Sequence, residues 1–112
     1  MTLFGALREA AGLSLQEAAD FHGVRLDTIK SWTSGRRRAP PDAINKFRAL
    51  LASQEVESLK LAPEVSNLSA EALAAMLTSD TTADAAIGWP SASVYNTILC
   101  RSWARGKVSE NR

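Results

Sequence analysis

The sequence predicts a mainly α-helical protein, with a four-to-five-helix N-terminal domain and a small helical C-terminal segment. Three observations predict this fold class. Apolar side chains recur at helical spacing along most of the 112 residues. Serine or threonine precedes several of these segments at a capping position, and glycine follows several of them. Hydrophobic residues make up 46% of the chain, which is enough for a buried core.

The first two helices carry clear capping signals. The first is predicted over residues 2–11, with Thr2 as its cap. Ser14 opens the second helix, and Glu17 three residues later completes a capping box. Gly23 ends this helix, because glycine adopts the left-handed conformation at little cost.

A third helix is predicted over residues 25–34, and a fourth begins at Pro41 and reaches about residue 53. A basic loop at residues 36–38 separates them. A set of small or apolar side chains lies on one face of the second and third helices, and it would place both faces in a shared core. These residues are Leu15, Ala18, Ala19, Val24, Ile29 and Trp32.

The C-terminal half is organised less clearly. Residues 1–53 form the predicted N-terminal domain, and residues 54–68 a linker, either a frayed helix extension or a short strand. Residues 69–106 form a predicted dimerisation region. It holds one helix from Ser69 to about Thr78, and another that starts at Pro90 or Ser91 and ends before Gly106. Residues 107–112 form a frayed tail.

The predicted dimerisation region is too short to fold alone, since about 40 residues seldom bury enough surface. It must pack on residues 1–53 or on a second copy of itself, and we favour a homodimer. The alternative is that its helices complete one monomeric core. The predicted interface residues are Leu73, Met76, Leu77, Trp89, Val94, Tyr95, Ile98, Leu99 and Trp103.

Charge is distributed unevenly although the net charge is only +1. Residues 1–50 hold eight Lys and Arg against five acids, whereas residues 55–84 hold six acids against Lys60 alone. Residues 101–112 hold four basic residues against one acid. Such asymmetry favours a polyanionic partner for the basic segments.

Several function classes find no support. A single cysteine, Cys100, excludes an internal disulfide and is expected to be a packed thiol in a reducing compartment. The sequence has no apolar run of membrane length and no signal-peptide pattern, so we expect a cytoplasmic protein. His22 stands alone, and we found no nucleophile–base set or glycine-rich phosphate loop. We therefore expect no enzyme activity, metal, cofactor or small-molecule ligand.

Residues 13–35 show the pattern of a helix-turn-helix, in which the second helix enters the major groove of DNA. The positions expected to face outward on that helix are Arg25, Leu26, Asp27, Lys30, Ser31 and Ser34.

Residues 7–51 resemble the DNA-binding domain of Cro/cI-type (Xre-like) repressors. The matching positions are Arg8, Gly12, Leu13, Ser14, Glu17, Ala19, Gly23, Val24, Thr28, Ile29, Trp32, Ser34 and Gly35. Further along, Ile87, Gly88 and Trp89, followed by Ser93 and Val94, are similar to small phage and prophage regulators, including anti-CRISPR-associated autorepressors. The resemblance implies a dimeric repressor of a phage or bacterial promoter, and autoregulation.

Arg25 stands where this family commonly has a small capping residue, and arginine cannot cap. It can contact guanine or a phosphate, or it can be a solvated surface residue. Lys30 can contact a base or a phosphate. Leu26 can touch a thymine methyl or be merely exposed, and Asp27 can accept from cytosine or favour the helix start. Ser31 is a base-contact candidate of low specificity.

The remaining polar residues are expected to contact DNA phosphates, which position a reader without specifying sequence. For the basic loop, a solvated surface is the alternative. The expected phosphate contacts are Ser14, Gln16, Ser34, Arg36, Arg37 and Arg38.

The chain departs from the family pattern at two positions. The family often pairs a helix-1 arginine with a glutamate that here is replaced by Thr33, so Arg8 can contact a phosphate or a C-terminal acid. His22 replaces a usual core leucine and is expected to pack, with helix 2 rotated slightly.

These features together predict a sequence-specific DNA-binding transcriptional regulator that occludes a promoter. Residues 25–34 of each protomer would read one half-site of a palindromic operator in double-stranded DNA, with half-sites ~34 Å apart. The alternative is a protein-binding module of the antitoxin type, in which the acidic residues 55–84 hold a basic partner.

Overall fold

In a computed structural model, the chain is described over residues 2–77 and 88–110, with side chains up to residue 105. The mainly α-helical class is confirmed, and these residues form helices without a strand. The helices are α1 (Leu3–Ala11), α2 (Leu15–His22), α3 (Leu26–Ser34), α4 (Pro41–Val65), α5 (Ala70–Leu77) and α6 (Ala92–Glu110). Thr78 and Ile87, to which predictions were attached, lie outside the described residues.

The predicted caps of the first two helices are confirmed. The Thr2 hydroxyl accepts a hydrogen bond from the Gly5 amide at 3.0 Å. Ser14 and Glu17 form the reciprocal capping box, with distances of 3.1 and 2.9 Å. Gly23 ends α2 with a φ of 66°, in the left-handed region. Local side-chain chemistry therefore sets the bounds of these helices.

Helix α4 is longer than the sequence predicted, because it continues through residues 54–65. The apolar periodicity is broken there by two polar residues that lie on the inner face, Gln54 and Ser58, and both are fully buried. Gln54 donates to the Val94 carbonyl at 3.3 Å, and the Ser58 carbonyl accepts from the Ser102 hydroxyl at 2.8 Å. Of the two open alternatives for this segment, the structure shows a helix extension.

The end of α6 also differs from the prediction. Gly106 was expected to terminate the helix, yet the helix continues to Glu110 and includes part of the predicted frayed tail. An interior glycine costs about 1 kcal/mol relative to alanine, which weakens a helix without necessarily ending it. Ser91 caps the start of α6, accepting from the Val94 amide at 3.4 Å.

The chain divides into two compact units, Met1–Ala52 and Ser53–Arg112. Aromatic side chains fill the first unit. The Phe47 ring lies 5.1 Å from that of Phe4 and 4.6 Å from that of His22, measured between centroids. Trp32 meets the Phe4 ring edge-on at 5.4 Å, so it packs against this core as predicted, although it is only half-buried.

The second unit has its own core, built around the buried residues Val65, Leu73 and Leu99. The Trp103 indole donates to the Leu68 carbonyl at 2.9 Å, and its ring packs against this core. Most residues of the predicted dimer interface are thus buried, or packed, within one chain. Of that set, Leu73, Val94, Ile98 and Leu99 are buried, Leu77, Trp89, Tyr95 and Trp103 are half-buried, and Met76 is exposed.

Among the helices of the described residues, none combines the length with the apolar composition that crossing a bilayer requires.

Candidate nucleic-acid interface

Helices α2 and α3 are joined by a connection of three residues, from Gly23 to Arg25. Gly23 is needed for its positive φ rather than for space, since an added Cβ would meet nothing within 4 Å. The Val24 amide then donates to the Ala19 carbonyl at 3.0 Å, which ties the connection to the end of α2. The tight corner therefore follows from one left-handed residue and one backbone bond.

Helix α3 has one inner and one outer side. Ile29 is completely buried, and Trp32 packs against the aromatic core. Arg25, Asp27, Lys30 and Ser34 are exposed, as the sequence predicted, and Leu26 is half-buried. The outer side is thus polar, with two of its side chains cationic.

Ser31 does not belong to the outer side, so the prediction that it faces outward is wrong. Its exposed fraction is only 3%, and its hydroxyl accepts a hydrogen bond from the Arg36 guanidinium at 2.7 Å. Helical spacing alone placed Ser31 among the outward positions. The chain that follows α3 then covers it, which local periodicity cannot foresee.

Arg25 stands at the N-cap position of α3 with extended backbone angles, φ −75° and ψ 152°. Its side chain makes no capping hydrogen bond, as predicted, while its carbonyl accepts from the Thr28 amide at 3.0 Å. Asp27 lies in the first turn, where its negative charge interacts favourably with the positive end of the helix dipole. The Arg25 guanidinium therefore remains exposed at the start of α3.

The basic loop brings three exposed arginines directly after α3: Arg36, Arg37 and Arg38. The Arg37 amide donates to the Ser31 carbonyl at 3.2 Å, which folds the loop back against the helix end. At the start of α2, Ser14 and Gln16 are also exposed. Ser14 accepts from the Glu17 amide and keeps its own proton to donate, whereas Gln16 donates to Asp20 at 3.2 Å.

Arg8 is half-buried and has partners within the first unit. Its guanidinium donates to the Leu13 carbonyl at 2.7 Å, and its exposed side-chain fraction is 16%. It also lies 3.7 Å from Glu9. Arg8 therefore holds the connection between α1 and α2. At Thr33, which stands where the family has a glutamate, the backbone carbonyl accepts from the Thr2 hydroxyl at 2.8 Å.

Lys46 has a role that sequence reasoning missed. This residue of α4 donates to the Phe21 carbonyl at the end of α2, and its ammonium lies 4.6 Å from the centroid of the Phe21 ring. A cation at a helix C-terminus is favourable because the free carbonyls there carry negative partial charge. The two residues are 25 positions apart, so only the tertiary structure reveals the contact.

Two further expectations concern residues outside this surface. Cys100 is exposed rather than packed, because it lies on the outer side of α6. His22 packs among aromatic rings as predicted, and its Nε2 is buried without a hydrogen-bond partner among the described residues. Within residues 2–77 and 88–105, no three His, Cys, Asp or Glu side chains are grouped to hold a metal ion.

Burial lowers the pKa of His22, and the nearby charge of Lys46 lowers it further. In the unfolded chain the pKa is about 6.5, so on acidification the unfolded state takes up the proton first. We therefore expect the free energy of unfolding to fall as pH drops from about 7 through 6.5 and on through the lowered folded pKa. Denaturant unfolding at several pH values measures this dependence.

The control for this pH dependence is His22→Leu, which has similar volume and no titrating group. The variant should lose the part of the pH dependence below about pH 7 that His22 contributes, and keep the part that carboxylates contribute. Identical pH profiles for the two proteins would contradict this assignment.

Comparison with known proteins gives no match, whether with family models, curated proteins or solved structures. The surface described above must therefore be interpreted from its own geometry and charge.

Proposed function

We propose that the protein is a sequence-specific DNA-binding regulator in which α2 and α3 form a helix-turn-helix. One observation carries the proposal: α3 buries Ile29 against the core while it exposes Arg25 and Lys30. A helix anchored on one side and cationic on the other has the properties needed to enter the major groove. The resemblance to Cro/cI-type repressors supports the same function.

The side chains divide into two groups by position. The proposed base contacts lie along the outer side of α3 and at its N-cap: Arg25, Leu26, Asp27 and Lys30. Ser31 is no longer proposed as a base contact, because it is buried. The proposed phosphate contacts lie at the start of α2, at the last residue of α3 and in the loop that follows α3. These residues are Ser14, Gln16, Ser34, Arg36, Arg37 and Arg38.

We further propose that the regulator acts in the cytoplasm as a homodimer on a palindromic operator, and represses by promoter occlusion. Most of the predicted interface residues have partners within one chain. A second copy must therefore bind to apolar surface that these residues do not form. Val56 and Leu59 lie one turn apart on α4 with exposed fractions of 53% and 54%. Large exposed apolar side chains in a group indicate an interaction site. Met76 adds to the exposed apolar surface of the second unit.

The Val56→Glu, Leu59→Glu double variant should therefore be monomeric. Association would bury the new carboxylates of both copies, and burial of a charge without a partner is costly. Light scattering after size exclusion measures the mass directly. Ala70→Glu with Ala74→Glu is the control, since it adds the same charge at exposed positions on α5. A dimeric wild type whose Val56/Leu59 variant stays dimeric would contradict this choice of surface.

Selection of bound sites from random DNA duplexes tests the proposed function. We expect enrichment of a palindrome whose half-sites are centred ~34 Å apart, about one helical turn. Affinity for the selected site should fall steeply with salt, by roughly 0.9 log unit per phosphate contact for each decade of salt. No enrichment, together with binding of a basic protein that depends on residues 55–84, would instead favour the antitoxin-type alternative.

A further inference from the structure

Ser31 is a buried polar residue inside a cationic surface. It lies in the last turns of α3 with an exposed fraction of 3%, while Lys30 beside it is exposed. A buried hydroxyl without a partner destabilises a protein, so its hydrogen bonds must be accounted for. Its oxygen accepts from Arg36, whose guanidinium reaches it from five residues further along the chain.

The chain after α3 is folded around this residue. The Ser31 carbonyl accepts from the Ser34 hydroxyl and from the Arg37 amide, both at 3.2 Å. The Ser34 hydroxyl in turn accepts from the Arg36 amide at 3.4 Å. Gly35 permits this reversal with a φ of 84°, and a Cβ there would lie 3.2 Å from the Thr2 side chain. The loop is thus hydrogen-bonded to Ser31 both through the Arg37 backbone amide and through the Arg36 guanidinium.

Arg36 differs in this respect from the two arginines that follow it. The hydrogen bond between its Nη2 and the Ser31 hydroxyl, at 2.7 Å, holds its long side chain in one orientation. A guanidinium has five N–H donors, so one bond to Ser31 leaves others to be donated to a second acceptor. The side chain is exposed overall, and that acceptor can come from outside the protein.

We propose that Ser31 is a positioning residue that orients Arg36 for a DNA phosphate. The inference rests on the proposed function, and it identifies the residue that orients Arg36 before Arg36 contacts a phosphate. An arginine loses considerable rotamer freedom when it binds, and an arginine that is already oriented loses less. Ser31 therefore raises DNA affinity without touching DNA.

A double-mutant cycle with Ser31→Ala and Arg36→Ala tests the inference, with DNA affinity measured by fluorescence anisotropy at two salt concentrations. Ser31→Ala should weaken binding roughly three- to tenfold, because the Arg36 side chain must then be ordered when DNA binds. The salt slope should stay unchanged, because the Arg36 charge is still present. Arg36→Ala should weaken binding and lower the slope by about 0.9 for each protomer bound to the operator.

The decisive comparison is Ser31→Ala in the Arg36→Ala background, where it should have almost no further effect on DNA affinity. Arg38→Ala provides the matched control, because it removes the same charge from an arginine that Ser31 does not hold. In that background the Ser31→Ala effect should persist in full. An equal effect of Ser31→Ala in both backgrounds would mean that Ser31 acts only through stability, and would overturn the proposal.

If the Ser31 variant does not fold, the inference can still be tested by comparing the DNA affinities of Arg36→Lys and Arg38→Lys. A lysine ammonium cannot reproduce the planar fork that joins Ser31 to a second acceptor, so Arg36→Lys should lose affinity and Arg38→Lys should lose little. Equal losses would overturn the proposal. Wild-type protein that binds DNA weakly, and equally at low and high salt, would instead refute the proposed function itself.

Discussion

The double variant Arg25→Ala, Lys30→Ala is expected to lose the preference of the protein for its operator while the helices stay folded. Both side chains are exposed on α3, so their removal costs no core packing. A lost base contact typically costs ~1–3 kcal/mol, and the two losses together should weaken operator binding about 100-fold or more. Anisotropy titrations with operator and scrambled duplexes measure the preference, and circular dichroism measures the fold.

Arg48→Ala with Lys60→Ala is the matched control, because it removes two exposed positive charges from α4 instead of α3. This control should weaken binding to operator and scrambled duplexes by similar factors, since phosphate attraction carries no sequence information. If the α3 variant still prefers the operator, the assignment of base contacts to Arg25 and Lys30 is wrong.

Phe47→Ala is expected to have the largest effect on stability. Phe47 is completely buried, and its ring contacts those of Phe4, Phe21 and His22 at centroid distances of 5.1, 5.7 and 4.6 Å. Truncation of a buried phenylalanine costs about 3–5 kcal/mol through lost transfer energy and a residual cavity. Urea denaturation followed by circular dichroism should show a lower midpoint.

Phe47→Leu serves as the control for this stability prediction, because it stays apolar and keeps much of the side-chain volume. It should be destabilised clearly less than the alanine variant, since it leaves a smaller cavity. A loss of less than ~1 kcal/mol in Phe47→Ala would show that the aromatic cluster of the first unit contributes little, and that another part of this unit carries its stability.

Much of the first unit could be predicted because its signals are local. The caps at Thr2, Ser14 and Gly23 each depend on atoms within about four residues. The apolar spacing that buries Ile29 is equally local, and so is the consequence that Lys30 faces outward. Residue types at short spacing are sufficient for such features.

The contacts that sequence reasoning missed join residues that are distant along the chain or lie beyond a helix end. Gln54 and Ser58 are polar, so they interrupt the apolar pattern, although the buried Gln54 side chain has a partner on α6, the Val94 carbonyl. The Ser58 backbone carbonyl accepts from Ser102 of α6, while the Ser58 hydroxyl donates to the Glu55 carbonyl within α4. The hydrogen bond from Arg8 to the Leu13 carbonyl was also missed, because that backbone group lies within its reach only after α1 and α2 are placed.

The sequence by itself determined that the chain is mainly helical, where its first helices begin, and that α3 has one apolar and one cationic side. Only the tertiary structure decided that Ser31 is covered by the loop that follows it and hydrogen-bonded to Arg36. The physical reason is that capping and helical periodicity act within about one turn, whereas burial of a polar group depends on whether the folded chain brings it a partner.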